Sequence, residues 1–186
     1  MAWTLDYHQP REDILLDNYF LAVGKALCIA SNFEHKCKFI LQTMTLVEAR
    51  DAGHDFDAAR ELVKALDKKV LNETINRIGN HPAFSAADIE ILRAAKDSRN
   101  YIAHESAAMG SLNYVRAKVI EAQFAVLLDH AELVAKGDNL VSKWCYEICE
   151  KEPAPRVTHE EYGRMVREWV GRRTWELGIE VVEPKG

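Results

Sequence analysis

Between positions 13 and 50 or so, apolar side chains return every three or four residues: Leu16, Tyr19, Phe20, Val23, Leu27, Ala30, Phe33, Cys37, Ile40, Met44 and Val47. That period belongs to a helix with one buried stripe. As a single helix it would run about 55 Å, at roughly 1.5 Å per residue; a break near Ser31 and Asn32 would divide it. Residues 51–55 read as a loop. A second helix is predicted from an Asp57 cap, with Leu62, Leu66, Val70, Leu71, Ile75 and Ile78 on one face and Gly79 at its end. Ser85 and Asp88 have the spacing of a capping box and open a third helix, which carries Ile89, Leu92 and Ala95 and then the segment from Arg99 to His104.

After a turn at Met109-Gly110-Ser111, a fourth helix is predicted from Leu112 to about 136. It has two apolar stripes. One is Leu112, Val115, Val119, Ala122, Val126 and Leu133; the other is Ile120, Phe124, Leu127, Ala131 and Val134. A helix apolar on two sides calls for cover on two sides, from its own bundle and from a second subunit. Gly137-Asp138-Asn139 predicts a further turn, and a shorter helix follows over 140–151. Pro153-Ala154-Pro155 reads as a hinge or stiff connector. Thr158 and Glu161 form a second capping-box pattern and open a last helix to about 176, and 179–182 has strand character without an evident partner.

The pattern gives an all-α chain: a bundle of four or five main helices over residues 1–137, and a C-terminal helical extension over 138–186 packed on it. Of 186 residues, 48% are hydrophobic and 28% charged, the composition of an ordinary globular domain. A net charge of -5 argues against a protein that coats nucleic acid through broad positive surface, though a local basic groove is compatible with it. The start of the chain lacks the basic and apolar runs of a secretory signal, and Asp17, Asn18, Lys25 and His35 interrupt the apolar stretches. A cytoplasmic protein with no membrane partner is expected. Cys28, Cys37, Cys145 and Cys149 are too few and too scattered for a disulfide framework, so reduced, mostly buried thiols are expected.

Several chemistries are set aside by their missing patterns. The nine glycines form no phosphate loop, and neither a His-Glu-x-x-His zinc helix nor a Gly-x-Ser-x-Gly elbow is present. Cys145 and Cys149, one helical turn apart, fit core packing better than a metal site. No cofactor is expected. The last helix interleaves Arg164, Arg167, Arg172 and Arg173 with Trp169 and Trp175, which suits RNA contact; Glu160, Glu161, Glu168 and Glu176 suit a solvated, salt-bridged face equally well.

The strongest candidate is Arg99-Asn100-Tyr101-Ile102-Ala103-His104, preceded by Lys96 and followed by Glu105. Arginine offers a fixed fork of donors to phosphate oxygens, and histidine exchanges protons near neutral pH. Spacing alone says little, since Arg-x4-His turns up by chance in roughly one such chain in five, and Arg-Asn-x3-His in about one in a hundred. The setting late in a helix of an all-helical chain gives it weight. On a regular helix Arg99 and His104 would point roughly 140° apart, so a local distortion or two-fold pairing is needed to aim both at one phosphate.

This segment resembles the signature of the HEPN superfamily, in which Arg, a following polar residue (often Asn) and a His four to six positions on sit on a late bundle helix. The resemblance covers about 13–136. Many HEPN proteins are metal-independent ribonucleases of toxin-antitoxin, abortive-infection or CRISPR-linked systems, acting as dimers with two motifs facing one cleft. The resemblance therefore implies an endoribonuclease that works as a homodimer on RNA and not on DNA, with an antitoxin protein as partner. Catalytic roles fall on His104 as general base, Arg99 as stabiliser of the phosphorane, and Asn100 as a holder of the histidine or the substrate. Lys96, Glu105, Arg164 and Arg167 are the candidate substrate-binding residues; Glu105 could instead fix the His104 tautomer or face solvent. Family members silenced by nucleotidylation carry Tyr two places after the motif His. Here that place is Ser106, so the resemblance does not extend to that control or to a nucleotidyltransferase antitoxin. The plainer alternative is a catalytically inactive HEPN-like dimer that binds RNA, a nucleotide or a protein, with Arg99 in an ion pair to Asp97 or Glu105.

Overall fold

The computed structural model describes residues 13–66, 69–81, 84–106 and 117–172. They form six α-helices and one π turn, with no strand among them. The expected turn at Met109-Gly110-Ser111, the helix start at Leu112, Arg173, Trp175 and the 179–182 segment lie outside the described residues.

Helix α1 (Asp13–Asp51) is continuous over 39 residues, about 58 Å. No break occurs at Ser31 and Asn32, because Ala26, Ala30, Phe33, Cys37 and Ile40 keep one unbroken stripe in the core. Gly53, with φ of 76°, supplies the left-handed residue that stops it, and the His54 amide closes on the Ala49 carbonyl. By length and composition α1 could cross a bilayer, despite the charges noted above; a bundle's core helix meets the same test.

The single helix expected from Asp57 to Gly79 is two helices. Helix α2 (Phe56–Lys64) is capped by Asp55, whose side chain accepts from the Ala58 amide, and helix α3 (Leu71–Gly79) follows a break. Leu66 and Leu71 are both buried. Five apart on one helix they would diverge by roughly 140°, and the break lets both face inward.

Helix α4 (Ala86–Asn100) starts at the capping box read from the sequence, Ser85 and Asp88 bonding each other's backbone amides. The π turn (Tyr101–Glu105) continues it. Helix α5 (Ala117–Glu150) is the bundle's axis, packed against α1, α4 and α6. It runs straight through Gly137-Asp138-Asn139, where a turn was expected. A Cβ on Gly137 would collide with that of Ala95 and come within 3.0 Å of the Phe33 ring, so this glycine lets three helices close together. Residue 137, expected to end the bundle, thus lies inside its central helix. The stripe of Ile120, Leu127, Ala131 and Val134 is buried, whereas Ala122, Val126 and Leu133 of the other stripe are exposed.

Helix α6 (His159–Gly171) opens at the predicted Thr158–Glu161 capping box and seats Val166 and Val170 in the core. Lys25 of α1 caps its far end, the ammonium donating to the carbonyls of Trp169 and Arg172 at 3.0 and 2.9 Å.

Candidate functional site

Arg99 and Asn100 end α4, and His104 lies on the π turn that prolongs it. The turn is defined by the Ser106 amide, which donates to the Tyr101 carbonyl five residues back at 3.0 Å. Each residue of such a turn advances the helix by less than the α value of about 100°, so Arg99 and His104 diverge less than a regular helix would make them. The distortion the motif calls for is therefore present. It is pinned from inside: the Ser106 hydroxyl donates to the Ile102 carbonyl at 2.6 Å, and the buried Tyr19 hydroxyl of α1 donates to the Ser106 carbonyl at 2.6 Å. Ile102 anchors the same turn in the core. Ser106 thus holds this turn together.

His104 and Asn100 are exposed, and Arg99 is partly buried. The Arg99 guanidinium pairs closely with Glu34 of α1, and its other terminal nitrogen donates to the Asn100 side-chain oxygen at 3.4 Å. Neither Asp97 nor Glu105 is its ion-pair partner. Glu34 also takes the Lys38 ammonium at 3.1 Å. Burial on its own would raise the Glu34 carboxyl, but the Lys38 hydrogen bond and the charges of Arg99 and Lys38 outweigh it and hold the group below its ordinary value. Lys96 reaches the Asn72 side chain at 3.2 Å and Asp97 at 3.1 Å. Glu105 is exposed, and its charge is felt at Tyr101 and His130, which places it toward α5.

The arginines of α6 are not brought to this place. Arg164 is exposed, and Arg167 is held by Asp129 and Glu132 at 2.5 and 3.5 Å. Around α5, Asp129 lies about 100–120° and Glu132 about 160–180° from Gln123 and His130, the residues that touch the motif segment. Within one chain the two basic groups occupy different flanks of the bundle.

Glu34, His130 and Ser98 escaped the sequence reading. The Tyr101 ring stacks on His130 with centroids 4.0 Å apart and a 23° interplanar angle; its hydroxyl donates to the Gln123 side-chain oxygen at 3.1 Å. His130 Nδ1 lies 3.1 Å from the Ser98 hydroxyl. Burial lowers the His130 pKa, outweighing the charges of Asp129 and Glu105, which act to raise it. The imidazole is therefore neutral at pH 7.

The cysteines depart from expectation. Cys37 is buried and Cys145 partly so, but Cys28 and Cys149 are exposed, and all four are unbridged thiols. Burial pushes the Cys145 thiol up to about 11, which keeps it an unreactive thiol at neutral pH.

Comparison with known protein-family models, curated proteins and solved structures gives no match.

Proposed function

We propose that this chain is a metal-independent endoribonuclease of HEPN type, working as a homodimer, of the kind found in defence or toxin-antitoxin systems. The observation that carries the reading is the helix-to-π junction, which presents an exposed His104 and turns it toward the side of Arg99. In the reaction, His104 takes the proton of an RNA 2′-hydroxyl and the 2′-oxygen attacks the adjacent phosphorus. Arg99 stabilises the charge that builds on the phosphorane oxygens. The P–O5′ bond then breaks, the 5′-oxygen takes its proton from water, His104 returns its own proton to solvent, and a 2′,3′-cyclic phosphate remains; DNA lacks the attacking hydroxyl and is spared. The exposed stripe of Ala122, Val126 and Leu133 runs beside Gln123 and His130, so a second copy docked there would bring the two motif segments near one another.

The Arg99–Glu34 pair favours a second reading, in which the bundle is a catalytically inactive dimer that binds RNA, a nucleotide or a protein partner. A guanidinium already neutralised by a carboxylate has less to offer a phosphate. The two readings separate when purified protein, with chelator present, is incubated with diverse RNAs beside Arg99→Ala and His104→Ala. Cleavage by wild type that falls at least 100-fold in both variants, leaving cyclic-phosphate ends, supports the nuclease. Intact RNA with wild type, or equal cutting by the variants, overturns it.

A further inference from the structure

We propose that His130 is a positioning residue, which from α5 braces the junction where α4 passes into the π turn and so sets the aim of Arg99 and His104. It lies outside the motif, on a different helix, and its catalytic consequence rests on the ribonuclease reading. Its structural consequence stands alone.

His130 grips both sides of the Arg99-Asn100 pair. Ser98, before the pair, is buried with its hydroxyl 3.1 Å from Nδ1; Tyr101, after it, lays its ring on the imidazole at 4.0 Å. Tyr101 is also the residue whose carbonyl accepts the five-residue hydrogen bond, so the stack fixes the point at which the backbone ladder changes from α to π. Gln123 holds the other end of the same Tyr101 ring, and seven positions on a helix return to within about 20° of the same direction. One face of α5 therefore clamps one residue of the turn twice. The charged and titratable groups facing the imidazole are Asp129 on its own helix, and Tyr101 and Glu105 on the π turn.

Two substitutions separate the contributions. His130→Phe keeps a ring for Tyr101 and loses the Ser98 contact; His130→Ala loses both. Hydrogen exchange of the Ser106 amide reads the brace directly, without RNA. In His130→Ala that amide should exchange at least ~10-fold faster, while amides in the middle of α1 keep their protection. In His130→Phe most of the Ser106 protection should return. If the chain cuts RNA, His130→Ala should lower kcat about 10- to 100-fold and change KM less than about threefold, since misaimed groups damage the transition state more than binding. Unchanged Ser106 exchange in His130→Ala, or equal loss of protection throughout the molecule, would overturn the proposal. A wild type that leaves RNA intact removes the ribonuclease reading, and the Ser106 exchange still decides the role of His130.

Discussion

Arg99 and Glu34 meet in a setting that is neither wet nor dry, their side chains 24% and 20% exposed. Water screens such a pair partly, so its worth sits near the upper end of what surface pairs give. A double-mutant cycle of Glu34→Gln and Arg99→Gln, read by urea unfolding, should return a coupling of about 1 kcal/mol at pH 7. Because the Glu34 carboxyl titrates below 4.5 in the folded chain, that contribution is complete above pH 4.5 and is lost as pH falls through the folded value. A coupling near zero at pH 7 would mean that Glu34 does not hold the guanidinium. The same pair marks how far the sequence could be read at this scale. Arg99, Asn100 and His104 announce themselves because they share one short segment. Glu34 lies 65 residues from Arg99, and only the packing of α1 on the bundle brings it there. His130 left a faint trace, as the polar interruption four places after Val126 in an otherwise apolar stripe.

Helices declared their starts more plainly than their interiors. Ser85 with Asp88 and Thr158 with Glu161 cap α4 and α6 as their spacing predicts, because a cap is a local arrangement of four residues. Gly137-Asp138-Asn139 has the composition of a turn, yet it is continuous helix, since that composition answers to Ala95, Phe33 and Lys36 on other helices. Nor does a π turn carry a compositional mark that could have located it at Tyr101. The glycines offer a test with two opposite signs. Gly24 lies inside α1 with open space where a Cβ would go, so Gly24→Ala should stabilise by about 0.5–1 kcal/mol. Gly137→Ala gains the same helical propensity but forces a methyl into Ala95 and Phe33, and should destabilise by about 1–3 kcal/mol overall. Urea unfolding of both variants measures this. A stabilised Gly137→Ala would show that α4 and α5 do not approach as closely as they do here.

Across the whole molecule, α1, α5 and α6 are joined by one buried carboxylate. Asp138, 1% exposed at the middle of α5, receives the Lys36 ammonium of α1 at 2.7 and 3.0 Å and the Tyr162 hydroxyl of α6 at 3.2 Å. The Lys36 ammonium also donates to Ser142 one turn further along α5. Burial, followed by the Asp138 charge and hydrogen bond, pushes the Tyr162 phenol up to about 12, so it stays a neutral donor across the working range. A carboxylate this deep is stable only while its partners are in place. Asp138→Ala would leave the Lys36 ammonium and the Tyr162 hydroxyl without their acceptor. It should cost about 3 kcal/mol, the low end for breaking a buried pair, because Lys36 is 35% exposed and can turn its ammonium toward water. Tyr162→Phe removes a hydrogen bond to that carboxylate and should cost about 1.5–3 kcal/mol at pH 7. The phenol also ties the fold to alkaline pH: its share is complete below pH 10 and is lost as pH rises toward 12, since only the unfolded chain ionises in that interval. Chemical unfolding at pH 7 and pH 11 therefore tests the junction twice. Wild type should lose more stability between the two than Tyr162→Phe does, and equal losses, or an Asp138→Ala variant as stable as wild type, would show that Asp138 does not tie these three helices together.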